Sequence, residues 1–474
     1  MSNYIPTIGV EVHVELKTKT KIFSPSTNGY GEMANSLTNE IDLGYPGTLP
    51  TLNEEVINLG IKAATILNCK IRKVMHFDRK NYFYPDISKN YQITQNRTPI
   101  GYDGYVEIEV DGKKKKVEIE EIHIEEDTCK SAHRGEKTLL DFNRAGVPLI
   151  EIVTKPCMTS SEEAKLYLEK LRELLTYGDI SDCKIEEGSM RADVNVYIRK
   201  NEKDPLGVKA EIKNIGSISN AKLGVEKEIE RQTKLYDKGE TFKPQTRRYD
   251  DKIGDTVLMR VKETGNDYRY FPEPDIPFVV LTDEQIEEAK KTIPMLPDER
   301  RKKYLELGVS ETNTKKLIQN RNLSDFFNTI IDEKTNHQIA SNLLLGDISA
   351  YLNKNEKTID ETTLNKERLL ELIKLMEENK LSSKNLKEIL DSILETNSKI
   401  EAIIKEKGIQ NITDDNKIIE IVKKIINENE ESVTDYKNGH DRAIKFLMGQ
   451  VMKETKGTIN PKAAMEILKE ELDK

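Results

Sequence analysis

The amino-acid sequence predicts an α+β fold in which a mixed α and β region precedes an all-helical region and a small helical tail. Three observations predict it. Apolar and polar residues alternate with period two in segment after segment up to about residue 290. Two prolines, Pro294 and Pro297 in I-P-M-L-P-D-E-R, then mark a boundary beyond which strand signals vanish. Past it, Leu369, Leu372, Ile373 and Met376 follow the i, i+3, i+4, i+7 rule of a helix with one apolar face. The expected domains are 1–294, 295–405 and 406–474, with the turn-like G-I-Q-N-I-T-D-D at Gly408–Asp415 setting off the last.

The first strand is the most informative. Residues Gly9 to Leu16 read G-V-E-V-H-V-E-L, so Val10, Val12 and Val14 alternate with Glu11, His13 and Glu15. One face packs on a core, and the other lines up carboxylate, imidazole and carboxylate about 6–7 Å apart. Such a row offers a divalent metal hard oxygens and one nitrogen. It equally describes a solvent-exposed strand face that happens to carry a histidine. Alternation recurs at Gly104–Val110, Val117–Glu125, Leu149–Val153, Arg191–Ile198 and Val208–Lys213. Helices are expected at Leu52–Leu67, from apolar spacing, and at Ser160–Leu175, where Ser160 is a suitable N-cap and Glu162 and Glu163 favour the positive helix end.

Composition narrows the class of protein. With 474 residues the chain can bury two to four cores, and no run approaches the roughly 18 apolar residues that span a bilayer. The N-terminal M-S-N-Y-I-P-T lacks the basic-then-apolar pattern of a secretory signal, and Cys69, Cys129, Cys157 and Cys183 form no C-x-x-C pair. A cytoplasmic protein with reduced thiols is expected. The net charge of −9 counts mildly against nucleic-acid binding. A local basic cluster still suffices, because screening ends interactions beyond about 8–10 Å.

Several later segments carry acids together with cations. In V-E-I-E-E-I-H-I-E-E-D, Val117 and Ile119 share a face and Ile122 and Ile124 share one, so a β-bulge is expected at Glu120–Glu121. Beyond it stand His123, Glu125, Glu126 and Asp127, which fit either a metal site or a wet edge strand. Neighbours on a strand point oppositely, so either Glu125 or Glu126 is the ligand candidate. Glu151 lies inside the apolar P-L-I-E-I-V and needs a partner there, either a metal or a structural ion pair. M-R-A-D-V-N presents Arg191, Asp193 and Asn195 on one face, and K-A-E-I-K-N presents Lys209, Glu211 and Lys213. Carboxylates for Mg²⁺ and cations for phosphate oxygens are the parts of a phosphoryl-transfer site. Lys80 in F-D-R-K-N-Y-F-Y-P-D and the aromatic, basic run Met259–Asp275 add to them; that run suits nucleotide stacking or an ordinary packed loop. No phosphate-binding glycine loop, dinucleotide fingerprint, nucleophile elbow or kinase catalytic loop is present.

In this order, G-V-E-V-H-V-E-L, L-G-Y-P-G-T-L-P, F-D-R-K-N-Y-F-Y-P-D, H-I-E-E-D, N-R-A-G-V-P-L-I-E-I-V, E-E-G-S-M-R-A-D-V-N, A-E-I-K-N, D-Y-R-Y-F-P-E-P-D and F-L-M-G-Q-V-M-K-E-T-K-G resemble the GatB family, the B subunits of the bacterial tRNA-dependent amidotransferases. The resemblance covers essentially the whole chain. It implies a cradle-like α/β domain, a helical domain and a tRNA-binding tail. It implies a ligase that activates the side-chain carboxylate of Glu-tRNA(Gln) or Asp-tRNA(Asn) with ATP. Ammonia from a partner amidase, the A subunit, then displaces phosphate, and a small C subunit completes the complex.

With that resemblance, Glu11, His13, Glu125 or Glu126, and Glu151 are the expected Mg²⁺ ligands. Lys80, Arg191, Asp193, Glu211 and Lys213 are the expected catalytic groups, and Lys80, Arg191, Lys213 and Asn214 the expected ATP contacts. Many members carry a four-cysteine zinc site; the matching positions here are Ser24, Ser26, Asn39 and Asp42, so no structural zinc is expected. In the tail, Lys445, Lys453 and Lys456 are expected to meet tRNA, beside an apolar set of Ile444, Phe446, Leu447 and Val451. His440 replaces the family lysine of a Y-K-x-G-K pattern. Two further readings remain open from the residues alone: a stand-alone metal-dependent kinase or hydrolase of a small molecule, and a non-catalytic tRNA-binding scaffold.

Overall fold

The valine-rich alternation at the N-terminus becomes the central strand of a nine-stranded sheet. In the computed structural model, which describes residues 4–261, 267–378, 380–408, 415–437, 441–455 and 461–473, this strand is β1 (Ile5–Glu15). The others are β2 (Lys70–Ile71), β3 (Gly101–Val110), β4 (Lys113–Glu126), β5 (Pro148–Thr154), β6 (Met190–Arg199), β7 (Ala210–Lys213), β8 (Gln245–Asp250) and β9 (Asp255–Val261). Side by side they run β9-β8-β7-β6-β1-β5-β4-β3-β2. Neighbours are antiparallel except β7 and β8, which are parallel.

One face of this sheet is apolar because each strand turns its valines and isoleucines the same way. Ile8, Val10, Val12 and Val14 of β1 are at most 1 % exposed, as are Ile150 and Ile152 of β5 and Val194 and Val196 of β6. On β4 the buried apolar residues are Val117 and Ile119, then Ile122 and Ile124. The change of parity is a bulge: Val153 faces Glu121 and Thr154 faces Ile119, with Glu120 left over. Three helices cover this face: α1 (Glu54–Ile66), α2 (Ser161–Tyr177) and α3 (Ile218–Asp237). Each starts at a side-chain cap, with Asn53, Ser160 and Ser217 accepting the backbone N–H of Glu55, Glu163 and Asn220. Gly60 of α1 allows close approach, since a Cβ there would come 2.7 Å from Ile100 Cδ1.

The contacts divide the chain between Pro297 and Asp298. The second unit is helical, and its described residues form two hydrophobic cores, Tyr304 to Ile403 and Ile418 to Leu472. Leu369, Leu372 and Ile373 are fully buried on the helix Lys366–Glu377, as their spacing predicts. The N-terminal α/β region followed by helices makes the fold α+β. No helix among the described residues is long and apolar enough to cross a membrane.

Candidate active site

The polar face of the sheet brings the acids together, and strand register decides which of them meet. Across β4, β5, β1 and β6, one row reads His123, Glu151, His13, Arg191. On the same face of β1, Glu11 lies opposite Asp193 of β6, and Glu211 of β7 lies opposite Asn195. The result is two clusters. His13, Glu125 and Glu151 form one and Glu11, Asp193 and Glu211 the other, each with ligand atoms within 4.8 Å of one another.

In the first cluster His13 Nε2 lies 3.4 Å from Glu125 Oε1 and 3.5 Å from Glu151 Oε2, and His123 Nε2 lies 2.8 Å from Glu151 Oε2. Burial would lower the His123 pKa, but Glu121 and Glu151, with the charge of Glu125, outweigh it and push it up to about 10. His13 is raised for the same reason: burial is outweighed by Glu151 and Glu125. Burial would raise Glu151, yet the two imidazoles hold it well below the usual carboxylate range. Glu125 goes the other way, since burial and repulsion from Glu151 raise it. Without a cation the acids thus draw both imidazoles toward their charged, protonated form; a divalent cation at Glu125 and Glu151 would take over that role and need His13 in its neutral, ligating form.

The second cluster is already partly neutralised. Lys213 Nζ is 2.5 Å from Asp193 Oδ2 and 3.4 Å from Glu211 Oε1, and Lys209 Nζ is 3.8 Å from Glu11 Oε1. Asn195 Nδ2 donates to Glu11 Oε1 at 2.8 Å, and Thr246 Oγ1 donates to Glu211 Oε2 at 3.0 Å. The donor sets, one imidazole with two carboxylates and three carboxylates, both suit a hard divalent cation.

Cations and aromatics border the floor. Lys80 belongs to a small sheet in which Asp78–Asn81 pairs with Tyr91–Thr94, and its ammonium stands 5.0 Å from the centre of the Tyr268 ring. It also lowers Glu125 through its charge. Tyr270 is pushed up to about 12 by burial, with Tyr268, Glu125 and Glu151 adding to the effect. Arg191 and Arg144 both bind Asp127 Oδ2, at 3.0 Å and 2.5 Å, and Arg144 reaches on to Glu15 at 3.1 Å. Gly188 makes room for that guanidinium: its φ is +78° and a Cβ would lie 3.1 Å from Arg144 Nη1. Glu15 and Arg144 also wall a cavity of about 590 Å³, with Lys17, Asn143 and Asp182.

Several expectations need correction. Glu11 does not share a cluster with His13; two residues along β1 it is carried to the level of Asp193. Glu126 points away from the floor and is 4 % exposed. Its carboxylate accepts from Lys89 Nζ at 2.6 Å and from the Ile93 N–H at 2.8 Å. Glu125 is the neighbour that faces His13. Asn214, expected to contact ATP, stands exposed just beyond the end of β7 at φ 57°, a backbone conformation asparagine tolerates, and is open to a ligand there. Phe446 is 48 % exposed, so the buried stripe of its helix is Ile444, Leu447, Met448 and Val451. Lys445 and Lys453 are exposed on that helix, while Lys456, His440, residues 409–414 and residues 262–266 lie outside the described residues.

At the positions matched to a zinc site, Ser24 and Ser26 donate to Asp42 at 2.7 Å and 2.6 Å, and the Asn39 N–H donates to Asp42 Oδ2 at 3.1 Å. The buried Lys21 ammonium stands 3.2 Å from the same carboxylate. Two hydroxyls, an amide and a lysine-paired carboxylate do not fit zinc.

His123, Asn195 and Thr246 join the floor without being among the expected site residues. His123 stands in the H-I-E-E-D block and Asn195 in the M-R-A-D-V-N stripe, but Thr246 has no signal in the sequence.

A sheet with one apolar and one polar face, the polar one bearing two acid clusters flanked by lysines and arginines, defines the class as a candidate catalytic domain followed in the chain by a helical unit. Residues 6–287 match the model of the GatB/GatE catalytic domain, and residues 325–472 match that of the GatB domain. The B subunit of aspartyl/glutamyl-tRNA(Asn/Gln) amidotransferase from Geobacillus thermodenitrificans is 47 % identical over 474 residues, the whole of both chains. The protein of the same name from Lactiplantibacillus plantarum is 47 % identical over 98 % of each chain, and that from Bacillus licheniformis 46 % over the whole of both. The chain belongs to the GatB family of tRNA amidotransferase subunits.

Proposed function

We propose that this chain is the ATP-using B subunit of a heteromeric amidotransferase whose substrates are Glu-tRNA(Gln), Asp-tRNA(Asn) or both. The observation that carries the reading is the convergence of His13, Glu125 and Glu151 beside Glu11, Asp193 and Glu211 on one sheet face. Its partners in this reading are an amidase, the A subunit, that releases ammonia from glutamine, and a small C subunit. The relatives' shared name supports the tRNA substrates and the multi-subunit complex.

In the reaction the substrate carboxylate oxygen attacks the γ-phosphorus of ATP and ADP leaves. Ammonia then attacks the acyl carbon, the amide C–N bond forms and phosphate departs. Mg²⁺ held by the two clusters would screen the phosphate charge. The chain's own groups do the rest. Lys80, Arg191 and Lys213 border the floor where charge spreads over the phosphoryl oxygens. Glu151, pinned between His13 and His123, keeps its charge in a partly dry setting. Arg191, anchored on Asp127, is held against the row that contains His13.

The test is ATP hydrolysis and amide formation by the reconstituted complex, with and without mischarged tRNA. Wild type should turn over only when Glu-tRNA(Gln) or Asp-tRNA(Asn) is present. Glu11→Ala should abolish amidation and leave the thermal transition within about 2 °C, because Glu11 is a part-exposed residue whose loss opens no apolar cavity. Turnover without tRNA would favour a small-molecule kinase or hydrolase. No ATP use at all would favour a tRNA-binding scaffold, and full amidation by the variant would remove Glu11 from the site.

A further inference from the structure

We infer that Thr246 is a positioning residue, whose hydroxyl holds the Glu211 carboxylate in the orientation that a second divalent cation at Glu11, Asp193 and Glu211 requires. The inference rests on the proposed use of both clusters as cation sites.

The argument starts from register. β7 and β8 run parallel, and in this pair Glu211 lies directly beside Thr246. Both are buried, Glu211 at 5 % and Thr246 at 1 % exposure. The Thr246 hydroxyl donates to Glu211 Oε2 at 3.0 Å, while Oε1 lies 3.4 Å from Lys213 Nζ. A carboxylate contacted at both oxygens is restrained from rotating about its terminal bond, and β-branching keeps the threonine itself in few rotamers. The hydroxyl supplies its half of this restraint without adding to the positive charge that Lys213 already brings to the cluster.

Glu11 is treated in the same way on the other side of the cluster. Asn195, 6 % exposed, donates its Nδ2 to Glu11 Oε1 at 2.8 Å. Its Oδ1 is buried without a protein partner among the described residues. Two neutral donors thus aim two of the three carboxylates, an arrangement expected of residues behind metal ligands.

The strand bearing Thr246 is also fixed against slipping. Glu228 of α3, fully buried, lies 3.3 Å from Arg247 Nε and accepts from Thr256 Oγ1 of β9 at 3.3 Å. It is itself held by Arg231 and Gln232. Arg247 follows Thr246 in β8, so this buried acid locks the β8–β9 hairpin onto α3. A one-residue slip would turn the Thr246 side chain to the opposite face.

The experiment titrates the full chain with Mn²⁺ and counts bound ions by electron paramagnetic resonance, for wild type, Thr246→Val, Thr246→Ser and His13→Ala. Wild type should bind one ion at each cluster, with His13→Ala identifying the signal of the other. Thr246→Val, nearly isosteric but without the hydroxyl, should weaken one ion by about 10–100-fold and leave the His13 ion unchanged. Thr246→Ser keeps the hydroxyl and should stay within about threefold of wild type. In the complex, the Mg²⁺ concentration for half-maximal amidation should rise for Thr246→Val while KM for tRNA stays constant. Unchanged Mn²⁺ affinity in Thr246→Val, or an equal loss in Thr246→Ser, overturns the role of the hydroxyl. A wild type that binds one ion or none overturns the two-cation reading, and the inference with it.

Discussion

Glu125 and Glu126 are adjacent in sequence and have different surroundings. Glu125 faces His13 at 3.4 Å, and burial with repulsion from Glu151 raises its pKa. Glu126, on the other side of the strand, is tied to Lys89 and to the backbone of Ile93. The sequence narrows the ligand to one of the two because side chains alternate along a strand. Choosing between them takes the bulge at Glu120, which resets the parity of everything after it.

Glu15 shows a residue held against its own preference. Burial raises its carboxyl to about 7; Arg144 opposes this, but that guanidinium is shared with Asp127, whose own charge raises Glu15 further. A carboxyl whose pKa is higher folded than unfolded adds stability that is complete below about pH 4.5 and is lost as pH rises through about 7. Glu15→Gln has no charge to desolvate. It should be more stable than wild type at pH 8 by about 1–2 kcal/mol, a figure discounted for the partial exposure of the side chain, and equal to it or slightly less stable near pH 4.5. Thermal melts of both proteins across that range check the sign, and parallel pH profiles would contradict it.

Among the elements, β1 is legible in the sequence because both of its faces are pure: three valines on one side and Glu11, His13 and Glu15 on the other. Helix α3 is not. Its inward stripe begins with Ile218, Ala221 and Val225 but continues with Glu228 and Gln232, buried polar residues that break the apolar period. The β8–β9 hairpin is hidden for a related reason. Q-T-R-R-Y-D has no apolar alternation, and Thr246, Arg247 and Thr256 bond to acids or to one another rather than pack on a core. These two elements, absent from the sequence reading, hold each other through Glu228. Removing one side of such a buried ionic network costs about 3–5 kcal/mol, because the partner charges stay buried without compensation. Glu228→Ala should therefore lower the sheet unit's calorimetric transition in the full chain and speed hydrogen exchange in 245–261. A change of less than about 1 kcal/mol would show that Arg247 and Arg231 find other partners.

At the scale of the whole chain, separate hydrophobic cores imply separable jobs. The catalytic candidates all lie before Pro297, whereas Ile418, Val422, Leu447, Val451 and Leu468 build a core of their own. Around that core, Lys424 is matched to Glu454 at 2.6 Å, but Lys445 and Lys453 stand exposed, next to or near the half-exposed Phe446. A chain of net charge −9 can bind tRNA only through such local sites, and each phosphate that is gripped releases counterions. Deleting residues 409–474 keeps Ile400 and Ile403, which complete the preceding core. In the reconstituted complex this deletion should raise KM for tRNA. It should also flatten the slope of log affinity against log salt by about one unit for each phosphate that is no longer gripped. Glutamine hydrolysis, assigned to the partner amidase, should largely persist. An unchanged KM and salt slope would deny the tail a binding role and leave tRNA recognition to residues before 409.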